Sequence, residues 1–204
     1  MNTEQNMEQV ILEAATKLFL DKGFKATSTT EIAKEAGCNQ ALVHYYFRTK
    51  DRLFEAIFEK KMKYFINSLL QINNEDLPFE EKLKKRIASH FDVVSENPKL
   101  PLMLFHEINT NPKRMESIKT ALGDMPQLVF QHMQKELDIE IEKGTVRPMN
   151  IHDLLMTIVS LNIIVFLAEP IFKTITGISD ETFKELQQRR KNENIAIIIR
   201  SIKP

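Results

Sequence analysis

The chain has 204 residues, of which 43% are apolar and 27% are charged, and its 28 Lys and Arg residues balance 28 Asp and Glu residues. This composition is typical of a globular domain. It argues against a disordered chain and against a protein that attracts polyanions by its overall charge. The single cysteine excludes an internal disulfide and a four-cysteine zinc site, and it fits a reducing compartment.

The apolar segments of the sequence bear on cellular location. Residues 1–10 lack the basic and apolar regions of a signal peptide. The most apolar stretch, residues 154–168, is interrupted by polar residues and is shorter than the roughly twenty residues of a membrane-spanning helix. With five glycines and no hairpin signal, β structure has little support. We therefore expect a soluble, cytoplasmic, all-α protein with no membrane partner.

Three helices are predicted in the first fifty residues. Apolar residues recur at three- and four-residue steps from about Glu4 to Lys22, and Gly23 follows as a C-cap. The segment from Ser28 to Glu31 is a capping box that begins a short helix ending at Gly37. Asn39 is a suitable N-cap for a third helix, which follows after only three residues.

Longer helices are predicted in the remainder, where the prolines first appear. They span about 50–70, 78–96, 99–109, 113–142 (bent or restarted at Pro126), 150–170 and 179–202. Residues 1–50 therefore form one predicted domain, and residues 51–204 form a second helical domain.

Two short helices joined by a tight turn containing glycine form a helix-turn-helix, whose second helix can enter the major groove of DNA. The segment from Ala36 to Lys50 has no acidic residue and contains His44, Arg48 and two tyrosines. The beginning of the preceding helix, with its two threonine hydroxyls, is suited to contact phosphates. The pattern thus indicates binding to double-stranded DNA.

The run TTEIAKEAGCNQALVHYYFRTKDRL, residues 29–53, resembles the DNA-binding domain of the TetR family of bacterial transcriptional regulators. The matching features are the pair Ile32 and Ala33, the pair Ala36 and Gly37, Phe47, Lys50 and Leu53. The segment before this run and the total length are also similar to the family. The resemblance implies a homodimer that reads a palindromic operator and responds to a small-molecule effector.

The resemblance also implies roles for individual residues. Thr29, Tyr45 and Lys50 would bind phosphates, and Thr30 would border the same surface. Gln40, Ala41 and Leu42 would face base edges, where a glutamine amide can read adenine and an apolar side chain can contact a thymine methyl group. His44 stands where tyrosine is usual, and a neutral imidazole there can still donate one hydrogen bond to a phosphate. Cys38 replaces the common valine and is expected to pack as a small apolar residue.

The later helices carry the predicted dimer interface and effector pocket. In the family the last two long helices of each subunit form a four-helix bundle, which places the interface on about 150–170 and 179–202, with Leu155, Ile158, Val159, Phe183, Leu186, Ile195, Ile198 and Ile199 as candidates. The middle helices would enclose an apolar pocket, for which the candidates are Met103, Phe105, His106, Phe130, Met133 and Phe166. The alternative for each of these apolar residues is that it belongs to the protein core.

We expect a ligand-responsive DNA-binding regulator, a repressor released from its operator by a small apolar or amphipathic effector. The alternative is a helical small-molecule-binding or protein-interaction module without DNA binding, because residues 1–50 carry six basic and six acidic residues and are therefore neutral. No metal-ligand spacing, catalytic constellation or glycine-rich phosphate loop is evident, so we expect no metal, no cofactor and no enzyme activity.

Overall fold

The computed structural model describes residues 3–204, with side chains from Met7 onward. Within that range the chain forms eleven α-helices and no β-strand, which confirms the predicted all-α class. The helices are α1 (Thr3–Lys22), α2 (Thr29–Glu35), α3 (Gln40–Phe47), α4 (Lys50–Asn73), α5 (Phe79–Glu96), α6 (Leu100–Thr110), α7 (Pro112–Leu122), α8 (Met125–Glu142), α9 (Ile151–Leu167), α10 (Glu169–Thr176) and α11 (Asp180–Ser201).

Proline divides two long predicted segments: 113–142 restarts at Pro126 as predicted, whereas 150–170 was predicted as one continuous helix. The predicted segment 113–142 consists of α7 and α8, with Pro126 in the first turn of the second helix. The predicted helix 150–170 ends at Leu167, and Pro170 lies in the first turn of the separate helix α10. A proline ring fits the first turn of a helix but blocks continuation of a helix that precedes it.

The chain packs as two compact units. The first contains the described residues up to Lys63 together with Leu102–Gly123, and the second contains Tyr64–Pro101 and Asp124–Pro204. These units group residues by packing. The predicted functional division, with DNA binding in residues 1–50 and the second domain in residues 51–204, remains a prediction.

The core of the first unit joins α1, α2, α3 and the beginning of α4. Phe54 packs with Phe19 at 5.9 Å and with Phe24 at 5.3 Å between ring centroids. Burial of these rings fixes the three N-terminal helices against α4. The fully or nearly fully buried members are Ile11, Ala15, Phe19, Ile32, Ala33, Val43, Leu53 and Phe54.

Arg114 of α7 is buried in the first unit, with 4% of its surface exposed. Its guanidinium carbon lies 4.1 Å from the ring centroid of Phe24 and 4.5 Å from that of Phe54. Nη2 donates to Oδ1 of Asp51 at 2.7 Å, and Nη1 lies 3.5 Å from a carboxylate oxygen of Glu107, which is 3% exposed. This arginine connects α7 with the first turn of α4 and with the loop between α1 and α2.

In the second unit α5 packs against α9 and α11, and α8 packs against α5 and α9. Most of the contacts are apolar, including the rings of Phe91 and Phe166 at 5.1 Å. The buried apolar side chains of this unit include Leu83, Ile87, Val129, Met133, Leu137, Leu154, Ile158, Phe183 and Ile198.

A chain of polar side chains crosses this apolar interior. Nη2 of Arg190 donates to Oδ1 of Asn194, and Nδ2 of Asn194 donates to Oδ1 of Asn162 at 2.9 Å. Nδ2 of Asn162 donates to the carbonyl of Ile87 at 2.9 Å and lies 3.2 Å from Nδ1 of His90. Both asparagines are completely buried, and burial lowers the pKa of His90 to about 4. The imidazole is therefore neutral at pH 7, with Nδ1 as the acceptor.

Candidate nucleic-acid interface

Helix α2 begins with the capping box that the sequence predicts. The hydroxyl of Ser28 accepts a hydrogen bond from the backbone N–H of Glu31, and Oε2 of Glu31 accepts one from the N–H of Ser28 at 2.9 Å. Lys22 of α1 donates to Oε1 of the same carboxylate at 2.7 Å. The hydrogen bond from Lys22, followed by those from Ser28, lowers the pKa of Glu31 to about 2. The beginning of α2 is thus tied to the end of α1.

The turn between α2 and α3 is a Schellman motif. The N–H of Cys38 donates to the carbonyl of Ala33 at 2.9 Å, and the N–H of Gly37 donates to that of Lys34 at 3.2 Å. Gly37 has φ +66°, the left-handed conformation that a residue without a side chain adopts at no steric cost. The side chain of Asn39 then accepts from the N–H of Leu42 at 2.9 Å and starts α3. Local hydrogen bonds therefore set the angle between the two helices.

Helix α3 has one buried side and one exposed side. Val43 and Phe47 point into the core, with 2% and 7% of their surfaces exposed. The opposite side exposes side chains that the sequence assigns to DNA, and Tyr45 alone exposes 73% of its surface. Of the eight predicted DNA-binding residues, the exposed ones are Thr30, Gln40, Ala41, His44 and Tyr45, and the half-buried ones are Thr29, Leu42 and Lys50.

Gln40 is held by hydrogen bonds between α2 and α3. Its Nε2 donates to the hydroxyl of Thr29 at 3.0 Å, and its Oε1 accepts from the hydroxyl of Thr30 at 3.2 Å. The same Nε2 lies 3.4 Å from Nε2 of His44, whose Nδ1 lies 2.9 Å from the carbonyl of Arg48. This geometry fits a neutral imidazole that carries its proton on Nδ1. The structure therefore brings Thr29, Thr30, Gln40 and His44 into one polar cluster.

Lys50 is engaged with the backbone of its own unit. Its Nζ donates to the carbonyls of Phe24 and Thr27, each at 2.9 Å, and lies 4.4 Å from the centroid of the Phe24 ring. An ammonium group has three N–H donors, so two of them fix the loop before α2 and one remains for a phosphate. The phosphate role of Lys50 remains a prediction, and its contact with the loop is a second role that spacing alone does not reveal.

The end of α3 contains a strained turn that sequence reasoning missed. Arg48 has φ +58° and ψ −49°, and the N–H of Thr49 donates to the carbonyl of Phe47 at 2.5 Å. These values describe a γ-turn of the rare, strained kind. It places the exposed Arg48 beside His44 and lets Thr49 cap α4 through the N–H of Arg52. Arg48 belongs with the exposed side of α3, although it was not among the predicted site residues.

The acidic side chains of α2 form ion pairs with lysines of α1. Lys17 of α1 forms an ion pair with Glu35 at 2.5 Å, and Lys22 forms one with Glu31 at 2.7 Å. Two of the six acidic side chains in residues 1–50 are therefore compensated by lysines of α1. The segment from Ala36 to Lys50 contains no acidic residue.

Residues 11–57 match the family of bacterial regulatory proteins described as the tetR family. They contain the capping box, the Schellman turn and all of α3. This segment is similar to the DNA-binding domain of that family. This match confirms the prediction of a DNA-binding transcriptional regulator, and it favours that function over a helical module without DNA binding.

Other comparisons extend beyond the DNA-binding segment. The uncharacterized HTH-type transcriptional regulator YhgD of Bacillus subtilis (strain 168) is 25% identical over 141 residues, which cover 69% of this chain and 72% of that protein. A tetR-family regulatory protein from Rhodococcus RHA1 superposes with a TM-score of 0.75 at 18% identity, over 100% of this chain and 98% of that one. The regulator FadR from Bacillus subtilis, in complex with stearoyl-CoA, superposes with a TM-score of 0.71 at 18% identity, over 95% and 98%. The two structural matches establish a shared fold.

The six predicted pocket residues lie in different units. Met103, Phe105 and His106 belong to the first unit; the phenylalanine and the histidine are exposed, and the methionine packs against the core of α1–α4. In the second unit Phe130 lies 5.0 Å from the ring of His152, and Met133 and Phe166 are buried. Their role toward an effector remains a prediction.

The predicted interface residues divide equally by exposure. Ile158, Phe183, Ile198 and Ile199 are buried within the protomer, because α9 and α11 pack against each other and α11 packs against α5. Leu155, Val159, Leu186 and Ile195 are half-buried. Sequence reasoning missed the most exposed apolar side chains of this region, which are Met156 and Ile164 on α9 and Ile171, Phe172 and Ile175 on α10.

Three further observations concern alternative sites. Cys38 is half-buried against the core of the first unit, and burial raises the pKa of its thiol. Among residues 3–204, no group of three His, Cys, Asp or Glu side chains is arranged to hold a metal ion. Over the same range no single helix combines the length and apolar character needed to cross a membrane; only α9 and α10 taken together do so, and they are bent by 55°.

Proposed function

We propose that this regulator is a cytoplasmic homodimeric repressor that binds a palindromic operator and leaves it when a small amphipathic effector binds. The observation that carries the proposal is the exposed side of α3, where Gln40, Ala41, His44 and Tyr45 are accessible in a segment without acidic residues. An exposed helix of this kind can contact base edges in the major groove. The protein acts in this proposal by binding, without catalysis.

The contacts of α3 and α2 suggest how each half-site is read. Gln40 exposes its amide at the beginning of α3, and Thr29 and Thr30 hold that amide by hydrogen bonds. Its contact with His44 is the longest of the three at 3.4 Å and can be exchanged for N7 of adenine. In this proposal Ala41 and Leu42 contact a thymine methyl group, and Thr29, Tyr45 and Lys50 contact phosphates. The proton of His44 is engaged by the carbonyl of Arg48, so His44 supports the amide of Gln40 in place of the predicted phosphate contact.

The effector side of the proposal has support from a relative and from the path of α4. FadR, which shares the fold, is described in complex with stearoyl-CoA, an amphipathic molecule. Helix α4 begins at Lys50, which holds the loop before α2, and α4 continues past the boundary of the first unit at Lys63. A displacement of α4 would therefore move the helix-turn-helix. A hundredfold loss of operator affinity requires a coupling free energy of about 2.8 kcal/mol, which is common for allosteric proteins.

Selection of bound fragments from sheared genomic DNA tests the proposal directly. A recovered palindrome whose half-sites lie about one helical turn apart would support a two-fold dimer that reads adjacent major grooves. Fragments without a shared sequence would contradict sequence-specific regulation. A reporter gene placed behind the recovered operator then distinguishes repression from activation.

Substitutions in α3 and at the start of α4 should affect binding in different ways. We expect Gln40→Ala to relax the base preference at one position in each half-site by about 1–3 kcal/mol, because it removes a bidentate contact. We expect Lys50→Ala to weaken binding to all sequences alike, because it removes a phosphate contact and loosens the loop before α2. Titration of the recovered operator and its single-base variants measures both effects.

Gln131→Ala is a matched control for Gln40→Ala, since Gln131 is exposed on α8 in the second unit. It should leave every affinity unchanged. Equal binding by the Gln40→Ala, Lys50→Ala and wild-type proteins would show that α3 is oriented differently on DNA.

The exposed apolar side of α9 should form part of the dimer interface. Light scattering at micromolar concentration should give about 47 kDa, twice the 23.7 kDa of one chain. Met156→Asp combined with Ile164→Asp should shift the mass toward that of one chain, because each side chain exposes more than half of its surface and would bring a charge into an apolar interface. Leu102→Asp is the control, an equally exposed apolar position in the first unit. A wild-type mass near 24 kDa would reject the dimer.

A further inference from the structure

A partly buried cluster in the second unit contains two cations and one carboxylate. It consists of Asn73 at the end of α4, Lys82 and Arg86 on α5, and Glu136 on α8. Arg86 is 2% exposed, and its Nη2 donates to Oε2 of Glu136 at 2.5 Å and to Oδ1 of Asn73 at 2.6 Å. Lys82 donates to Oε1 of Glu136 at 3.0 Å and to the carbonyl of Asn73 at 3.1 Å. Two cations thus share one carboxylate.

Hydrogen-bond donors without a partner lie in the same cluster. They are Nε and Nη1 of Arg86 and Nδ2 of Asn73, and each of these atoms is buried. A buried N–H group without an acceptor is costly, and native proteins nearly always provide one. All three unsatisfied atoms are donors, so the chemistry that completes the cluster is an acceptor, and the excess positive charge favours an anionic one.

Arg114, the other buried arginine, differs from Arg86 in how its charge is compensated. Arg114 also has two buried N–H atoms without a hydrogen-bond partner. It lies close to two carboxylates, those of Asp51 and Glu107, so its charge is already compensated. Arg86 has one carboxylate, which it shares with Lys82. Of these two clusters, the one at Arg86 has fewer carboxylates than cations.

We propose that Asn73, Lys82 and Arg86 bind the oxyanion head group, carboxylate or phosphate, of an amphipathic effector. In a guanidinium the Nε–H group lies beside Nη2 and not beside Nη1, so the two free donors of Arg86 face different oxygen acceptors, and the cationic group favours anionic ones. The neighbouring buried positions on α5 and α8, Leu83, Ile87, Met133 and Leu137, are apolar and suit the tail of such a molecule. This inference rests on the proposed function, because it assigns the chemistry of the effector that function requires.

Asn73→Asp provides the critical test, because it supplies the missing carboxylate from within the chain. It retains the acceptor for Arg86, replaces the unsatisfied donor and balances the charge of the cluster. Asn74→Asp is the matched control: it makes the same chemical change at the next residue, which is exposed. Calorimetry of the full-length protein uses dodecanoate and dodecyl phosphate as the charged probes and dodecanol as the uncharged one. Inorganic phosphate serves as a probe without a tail.

We expect wild-type protein and Asn74→Asp to bind at least one charged probe about tenfold or more tightly than dodecanol. Asn73→Asp should lose this difference, and it should have a higher thermal midpoint without ligand than the wild type. Preference for the carboxylate or the phosphate identifies the head group, and equal binding of inorganic phosphate would show that the tail is not needed. The proposal is overturned if the wild type binds dodecanol as tightly as the charged probes, or binds none of them, or if Asn73→Asp retains the preference.

The same proteins separate this site from the proposed function. If charged probes bind through Asn73 and Arg86 but the recovered operator stays occupied, the site is supported and release of the operator by such an effector is rejected. Release of the operator by other molecules, with equal response in Asn73→Asp and wild type, would retain the regulator and reject the site.

Discussion

Arg114→Met is expected to lower the free energy of unfolding by about 3–5 kcal/mol, the usual consequence of removing one partner of a buried ion pair. Methionine keeps much of the side-chain volume but removes the charge that faces Glu107, which is 3% exposed and 3.5 Å away. It also removes the cation from the rings of Phe24 and Phe54. The pair with Asp51 adds little to this loss, because that side chain is 56% exposed. Urea unfolding at fixed protein concentration measures the change.

Two further variants show whether the buried charge is the cause. Adding Glu107→Gln to Arg114→Met should restore about 1–3 kcal/mol, since an amide leaves no buried charge without a partner. Lys113→Met makes a similar change at an exposed neighbour on α7 and should leave the stability nearly unchanged. A loss below about 1 kcal/mol for Arg114→Met, with additive effects in the double variant, would refute this account.

The stability of the second unit should fall as the pH is lowered from 6.5 to 4, because His90 is held neutral. Its folded-state pKa of about 4 lies below the ordinary value of 6.5, so the unfolded chain takes up the proton first as the pH falls. The contribution of neutral His90 to the free energy of unfolding is therefore fully present above pH 6.5, and it is lost as the pH approaches the folded-state pKa. Its size is about 3 kcal/mol over that interval. Unfolding midpoints in urea from pH 4 to pH 8 record it.

His90→Asn should flatten that part of the profile. The oxygen of asparagine can accept from Nδ2 of Asn162 as Nδ1 of His90 does, but it does not titrate. His132→Asn, at an exposed position on α8, is the matched control and should retain the wild-type slope. The loss of stability caused by protonation of Glu31 occurs at lower pH, below 4.5 and toward its folded-state pKa of about 2. Parallel profiles for His90→Asn and the wild type would exclude His90 as the source.

The helix-turn-helix could be predicted closely because its determinants are local. The hydrogen bonds between Ser28 and Glu31, and the bond from Leu42 to Asn39, each join residues three positions apart. The left-handed φ of Gly37 follows from the absence of a side chain in a short turn. A short helix with an exposed polar side was therefore visible in the sequence. The γ-turn at Arg48 was not, because no residue preference favours a positive φ there.

The buried polar groups were not predictable, because their partners are distant in sequence. Asn162 interrupts an apolar helix, and that interruption was visible as a pattern, but its bond to the carbonyl of Ile87 joins residues 75 positions apart. Arg86 and Glu136 are 50 positions apart, and Arg114 and Asp51 are 63 apart. Charged residues on amphipathic helices are exposed in most proteins, so nothing in the sequence marked these positions as buried.

By itself, the sequence determined the all-α class, most helix ends, the helix-turn-helix and the resemblance of its first quarter to the tetR family. Capping residues, prolines and apolar periodicity act through neighbours a few positions away, so they can be read without knowing the fold. Only the tertiary structure decided that Lys50 holds the loop before α2, that half of the predicted interface residues lie inside the protomer, and that Arg86 is buried with an excess of charge. Each of these depends on which helices meet, and that is set by the packing of whole helix faces.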